Sequence, residues 1–205
     1  MRKLTTTIAA LAAIATVVPA SAQGYNRIGA SYELESLSAK YGDDYNLNGF
    51  GVSYIHGFGL SKSIPLYLET GLKMSMGFHS DSYKDYGFEV TEDITKMSFS
   101  VPVNVAYKVN FGNDMSLLPY LGLNFKINAL ANAKYTEEED GDKYSETVNL
   151  LKGDDSANVF QLGWHVGVGF NFHSLYAGLS YGTDFIKFAE YVNSSTFNIT
   201  LGYTF

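Results

Sequence analysis

The chain has 205 residues, with 14 Lys and Arg against 21 Asp and Glu, a net charge of −7 at pH 7 and no cysteine. This acidic balance argues against nucleic-acid binding, because phosphate contacts need clusters of Lys and Arg. The lack of cysteine excludes disulfides, thiolate metal sites and a cysteine nucleophile. The length suits a single domain.

The first residues have the order of a secretory signal peptide. Arg2 and Lys3 precede an apolar run from Leu4 to Val18, and Ala20-Ser21-Ala22 follows as a cleavage-type site. We therefore predict a signal peptide over residues 1–22; an N-terminal membrane helix is the alternative. Cleavage would remove two basic residues, which leaves 12 basic against 21 acidic residues and a net charge near −9.

The remaining chain has the two-residue alternation of β-strands. Successive side chains of a strand point to opposite faces, and eight segments place apolar residues on one face and mainly small or polar residues on the other. We predict a bulge or a local kink at Pro102, which lacks a ladder donor, and polar loops over residues 79–93 and 136–155. The predicted strands are, in chain order, Arg27–Leu37, Asn46–Phe58, Leu66–Phe78, Thr95–Val109, Pro119–Tyr135, Val159–Phe172, Leu175–Phe185 and Phe197–Phe205.

These strands predict an all-β fold, an eight-stranded antiparallel up-and-down barrel over residues 23–205. The links after odd-numbered strands are mostly longer and more charged than those after even-numbered strands, which is typical of transmembrane barrels. After the signal peptide no apolar run reaches the roughly 18 residues of a spanning helix, so a membrane crossing would need closed strands.

Alternation alone leaves two kinds of barrel open. In a soluble lipocalin-like carrier the apolar faces line a ligand cavity, whereas in a transmembrane barrel they contact lipid. The transmembrane barrel is favoured because the opposite faces are rich in Gly, Ser and Asn and carry few charges, as a narrow interior requires. Aromatic residues near strand ends, such as Tyr107 and Phe172, also match the interfacial girdles of membrane barrels.

The C-terminal stretch resembles a known sorting signal. Phe197, Ile199, Leu201, Tyr203 and Phe205 alternate with small polar residues. This pattern resembles the C-terminal signal of bacterial outer-membrane β-barrels, which the barrel-assembly machinery reads.

The chain as a whole is similar to the small eight-stranded outer-membrane β-barrel family of Gram-negative bacteria. The segments Val101-Pro102-Val103 and Pro119-Tyr120-Leu121-Gly122-Leu123 look like the Bacteroidota version of that outer membrane protein β-barrel domain. The resemblance implies a monomeric, porin-like protein of the bacterial outer membrane. Its expected partners are outer-membrane lipid, lipopolysaccharide and, during biogenesis, the barrel-assembly machinery.

The polar faces also carry the candidate site residues of the barrel lumen. We expect these charges to pair across the lumen, because a lone buried charge is costly. Such pairs would plug the barrel; a narrow gated pore for small solutes is the alternative. The candidates are Glu33, Glu35, Glu69, Lys73, Lys108, Lys126, His165 and Asp184.

We predict no catalytic, cofactor or metal site. His165 and Ser180 lie on polar faces of neighbouring predicted strands, but no motif joins them to an acid as a hydrolase would require. The acidic stretch from Glu137 to Glu146 lacks the spacing of an EF-hand loop. We interpret it as a solvated, mobile loop; divalent cations that bridge lipopolysaccharide, or a basic partner, are the alternatives.

These observations together favour a structural or interaction role rather than an enzyme. The lumen would be plugged by polar side chains, and the outside loops would be available for contacts. The alternatives are a narrow solute pore, a lipid-modifying outer-membrane enzyme and a soluble lipocalin-like carrier.

Overall fold

A computed structural model describes residues 24–42, 44–85, 88–112, 114–139, 142–153 and 156–205. The predicted signal peptide, residues 1–22, lies outside these ranges. No helix within them is long and apolar enough to cross a membrane. The strands are β1 (Tyr25–Ala39), β2 (Tyr45–Gly59), β3 (Leu66–Asp85), β4 (Phe88–Tyr107), β5 (Val109–Asn110), β6 (Met115–Glu139), β7 (Asp142–Asn149), β8 (Phe160–Phe172), β9 (Leu175–Asp184) and β10 (Val192–Thr204).

Eight of these strands close into a ring of antiparallel neighbours. The order around the ring is β1, β2, β3, β4, β6, β8, β9 and β10, and pairing from Arg27↔Thr204 to Ala39↔Val192 closes it. The two-residue β5 and the outlying β7 both pair with β6. The predicted all-β fold of eight antiparallel strands is therefore confirmed.

The two faces of the ring have opposite chemistry. The outward face carries exposed apolar side chains, and the inward face carries buried polar and charged ones. This is the reverse of a lipocalin-like carrier, in which apolar residues line the interior. Typical outward residues are Ile28, Phe50, Val52, Leu72, Val105, Leu121, Leu179 and Ile199. Typical inward residues are Arg27, Glu33, Glu69, Asn104, Lys126 and Gln161.

The ring has a turn end and a loop end. The turn end carries the connections 60–65 and 173–174 and residues 108–112 and 114. The loop end carries the link 185–191 and residues 40–42, 44, 150–153 and 156–159. Strands β3, β4, β6 and β7 extend beyond the other strands at the loop end.

Two segments that we predicted as loops contain strands instead over most of their described residues. β3 continues to Asp85 and β4 begins at Phe88, while β6 continues to Glu139 and pairs with β7. Residues 79–85, 88–95, 132–139 and 142–149 form a four-stranded extension, here called the projecting sheet. Polar segments form strands here because cross-strand ion pairs and hydroxyl contacts stabilise a sheet without an apolar face.

A bulge near the loop end reverses the inward and outward positions of β6. Met97 pairs with Leu130 and Ser98 with Asn128, so Ala129 has no partner on β4. Strict alternation along β6 would place Lys134 on the same face as Lys126, but Lys134 is exposed, since one extra residue sends later side chains to the opposite face.

Of the bulge or local kink predicted at Pro102, the bulge is wrong. Pro102 pairs in register with Asn124 of β6. On its other side the β3–β4 ladder is interrupted between Thr70↔Val103 and Lys73↔Ser100 but resumes in the same register. The missing donor of proline thus removes ladder contacts without adding a residue.

The hydrophobic core of the described chain lies at the loop end of the lumen. It packs residues of β1, β2, β4 and β6 against the segments that follow β7 and β9, and we call it the apolar cap. Its members are Leu37, Leu47, Ile94, Ala131, Ala133, Ala157 and Phe188.

Candidate functional site in the barrel lumen

The lumen contains three clusters of charged side chains, stacked from the loop end to the turn end. In the loop-side cluster, Lys96 contacts Glu35 at 2.5 Å, and Lys126 lies 2.7 Å from Asp184 and 3.4 Å from Glu35. Gln161 also donates a hydrogen bond to Asp184 at 2.9 Å. The Ser194 hydroxyl of β10 donates to Glu35 at 2.6 Å. Six of the eight ring strands, β1, β4, β6, β8, β9 and β10, therefore meet in this cluster.

The middle cluster is centred on Lys73. Its ammonium group lies 3.0 Å from Glu33 and donates a hydrogen bond to Asn198 at 2.7 Å. The Ser31 hydroxyl donates to Glu33 at 2.9 Å. Gly51 makes room for this carboxylate, because a Cβ atom there would collide with Glu33 Oε1. The small residues of the polar face thus create the space that the charged ones occupy.

The turn-side cluster is built around Glu69. Arg27 forms a salt bridge with this carboxylate at 2.9 Å, and the Tyr25 hydroxyl and Asn104 amide donate hydrogen bonds to it. The guanidinium group of Arg27 also lies 4.0 Å from the centre of the Tyr176 ring. A buried carboxylate with three donors has its lone pairs well satisfied, which offsets the cost of removing it from water.

Two candidates stand apart from these ion pairs. Lys108 lies between β4 and β5 at the turn end, and no described side chain forms a salt bridge with it. His165 is inside the lumen but contacts Asn104 at 2.5 Å. Ser180 is hydrogen-bonded to Tyr120. His165 and Ser180 therefore lie in the same lumen, but they have different hydrogen-bond partners.

Little space remains between the three clusters. Two cavities of about 60 and 100 Å³ lie in the lumen, which is enough for a few water molecules. The cavities share the lining residues Lys73, Ser100, Asn124, His165 and Asn198. Among the residues that the structure describes, no group of three or more His, Asp or Glu side chains is arranged to hold a metal ion.

A comparison with protein families identifies the chain. Residues 6–205 match the model of the family described as "Outer membrane protein beta-barrel domain". The chain belongs to this family.

Membership of this outer-membrane barrel family agrees with the outward apolar face. The barrel is an integral protein of the bacterial outer membrane, and its apolar face contacts lipid. The predicted family resemblance is confirmed; the narrower resemblance to the Bacteroidota version stays a prediction.

Several solved outer-membrane barrels are similar in fold to this family member. Ail of Yersinia pestis has 17% identity and a TM-score of 0.49, over 89% of this chain and 99% of Ail. Neisserial surface protein A has 14% identity and a TM-score of 0.43, over 89% and 97%. The N-terminal barrel of Pseudomonas aeruginosa OprF has 15% identity and a TM-score of 0.36, over 89% and 100%. No curated protein matches the chain.

The residues of the predicted assembly signal form the outer surface at the barrel seam. Phe197, Ile199, Leu201, Tyr203 and Phe205 are all exposed, and the rings of the last two stack at 6.2 Å. The backbone N–H of Phe205 donates to the Asn26 carbonyl at 2.9 Å, and the Asn26 N–H donates to the Phe205 carbonyl at 2.8 Å. Their recognition by the assembly machinery stays a prediction.

The candidate list of charged residues omitted two cations of the clusters, Arg27 and Lys96, and it did not include the Phe188 ring that lies against Lys96. Arg27 lies on the inward face of β1 with Glu33, and Lys96 lies on the inward face of β4 with Ser98. Strict alternation, continued to the ends of the two strands, would therefore have included both cations. Phe188 lies in the link between β9 and β10, and no periodic signal marks it. It covers Lys96, with 4.7 Å between the ammonium nitrogen and the ring centre.

Proposed function

We propose that this barrel is a closed membrane anchor, without channel or enzymatic activity, that holds the projecting sheet at the outer surface of the cell. The observation that carries the proposal is the stacking of the three charged clusters and the apolar cap along the lumen, with cavities of only about 60 and 100 Å³ among the clusters. Long loops of such barrels face the outside and short turns face the periplasm, which supports an outward projecting sheet.

The charge balance of the lumen supports a plug rather than a conducting path. Four cationic side chains, Arg27, Lys73, Lys96 and Lys126, contact four carboxylates, Glu33, Glu35, Glu69 and Asp184. An ion that crossed the barrel would have to separate these pairs, and each separation would leave a buried charge uncompensated. The small size of the two cavities points in the same direction.

The lipid-modifying alternative receives no support from the lumen geometry. A nucleophilic serine needs a base within hydrogen-bond reach, and the base needs an orienting acid. His165 and Ser180 instead bond to Asn104 and Tyr120. Lipid A from cells that overproduce the protein should therefore have an unchanged mass spectrum, and a new lipid A species would support the enzyme instead.

Ion conductance in planar lipid bilayers tests the closed anchor. We expect the refolded, heat-modifiable wild-type protein to give no stable channels at a protein-to-lipid ratio at which a general porin conducts. Stable channels from the wild-type protein, with a conductance that changes in Lys73→Ala, would contradict the proposal. They would favour the solute pore, because Lys73 lines both lumenal cavities.

A further inference from the structure

The projecting sheet has two faces of different charge. Directly opposed residues of an antiparallel pair project to the same face. The register Tyr83↔Val90, Val90↔Glu137 and Glu137↔Tyr144 therefore places these four residues on one face, which continues the inner wall of the barrel. We call it the acidic face. Its exposed carboxylates are Asp81, Asp85, Glu137, Glu139, Asp142 and Glu146.

On the opposite face of the projecting sheet, lysine side chains pair with carboxylates. Lys84 lies 2.8 Å from Glu89, and Lys143 lies 2.8 Å from Glu138. Asp93 accepts a hydrogen bond from the Ser80 hydroxyl at 2.6 Å and lies opposite Lys134 on β6. We call this surface the neutral face. On the acidic face, within the described residues, none of the six carboxylates forms a salt bridge.

Exposed aromatic residues accompany the uncompensated carboxylates. Tyr83 and Tyr144 are each 65% exposed, and both lie in the row that contains Val90 and Glu137. Tyrosine rings attract ammonium and guanidinium groups through their π faces. The acidic face thus offers charge and ring contacts of the kind that a lysine or arginine side chain uses, with apolar surface for its methylene stem.

We propose that the acidic face binds a Lys- or Arg-rich segment of another polypeptide in an extended conformation. Side chains on one face of an extended chain repeat at about 6.6–7 Å, which matches the spacing of Asp142, Tyr144 and Glu146 along β7. Within the described residues, β7 pairs only with β6, so its second edge is open to such a segment. The inference rests on the outward orientation in the proposed function.

Two other cationic or lipid ligands fit the face less well. No cluster of the described residues has metal-holding geometry, which disfavours a bound divalent cation. Lipopolysaccharide carries phosphate groups, which the carboxylates would repel. A Lys or Arg side chain, unlike a metal ion, does not require several oxygen ligands around one point. The separated carboxylates of this face therefore suit a basic polypeptide.

Peptide binding to the full chain in lipid nanodiscs tests the proposal. The probe is a short fluorescent peptide that alternates Lys and Thr, and a peptide that alternates Glu and Thr is its control. The acidic-face variant is Glu137→Gln, Glu139→Gln and Glu146→Gln combined. The matched neutral-face variant is Glu89→Gln, Asp93→Asn and Glu138→Gln combined, which removes the same number of charges from the same sheet.

We expect the acidic-face variant to bind the Lys peptide about tenfold more weakly, since three exposed ion pairs are lost and each is individually weak. The neutral-face variant should stay within about twofold, because its carboxylates already have partners. Tyr83→Ser with Tyr144→Ser should also weaken binding at unchanged net charge. Retained heat-modifiable migration shows that each variant is folded.

Three results would overturn the inference: no binding of the Lys peptide by the wild-type protein, equal weakening in both charge variants, or stoichiometric Ca²⁺ binding that displaces the peptide. A different result, channel conductance by the wild-type protein, would refute the proposed closed anchor. A conducting barrel that still binds the peptide on its acidic face would refute only the proposed function, and a silent barrel that does not bind it would refute only this inference.

Discussion

The ammonium group of Lys96 lies 4.7 Å from the centre of the Phe188 ring and contacts Glu35 on its other side, so this one side chain joins the polar lumen to the apolar cap. Phe188 comes from the link between β9 and β10, whereas Lys96 belongs to β4. The cap is thus attached to the loop-side cluster by a contact between distant parts of the chain.

Removal of the Phe188 ring should destabilise the barrel. The side chain is 5% exposed and packs in the apolar cap, so we expect Phe188→Ala to lower the free energy of unfolding by about 3 kcal/mol or more. Phe188→Leu keeps an apolar side chain and should cost less than about 1.5 kcal/mol. Urea unfolding in lipid bilayers measures both; equal, negligible losses would show that the cap contributes nothing.

The Arg27–Glu69 pair should show strong coupling in a double-mutant cycle. Each single change, Arg27→Gln or Glu69→Gln, leaves a buried charge without its counter-ion, and we expect each to cost about 3–5 kcal/mol. The double variant removes both charges and should cost much less than the sum. Unfolding free energies of the four proteins give the coupling energy. Additive losses would mean that Tyr25 and Asn104, rather than the ion pair, satisfy these groups.

The alternation of the strands predicts much of this architecture, because lipid and a narrow lumen impose opposite requirements on successive residues. It places Glu33, Lys73 and Asp184 on inward faces without any knowledge of their partners. It cannot reveal which cation contacts which carboxylate, since that depends on the shear of the closed ring.

Other features fall outside what alternation can reveal. The bulge at Ala129 cannot be recognised from the alternation, because a single unpaired alanine does not stand out in the sequence. The bulge nevertheless moves Lys134 to the opposite face. The projecting sheet is missed because its strands, such as β7, are polar and exposed on both faces. Phe188 is missed because it lies in the link between β9 and β10, where no strand periodicity marks a residue that packs against the strand residues of the cap.

A lysine on the outward face should be costly according to its depth in the membrane. Leu179 is 46% exposed and lies between Ile199 and Val168 in the middle of β9, so Leu179→Lys should cost about 2–4 kcal/mol. Leu175 begins the same strand beside the turn end, and Leu175→Lys should cost about 0–1 kcal/mol. Unfolding in bilayers compares the two; equal costs would contradict the assigned depth.

Each strand turns its apolar face to lipid and packs its polar face inside the barrel. The chain has no cysteine, so single-cysteine variants at Ile199 and Thr200 can carry spin labels without other changes. In bilayers we expect a label at position 199 to be readily accessible to dissolved oxygen, and a label at position 200 to be shielded from oxygen and from aqueous nickel reagents. High oxygen accessibility at position 200, with shielding at position 199, would contradict this orientation of the two faces.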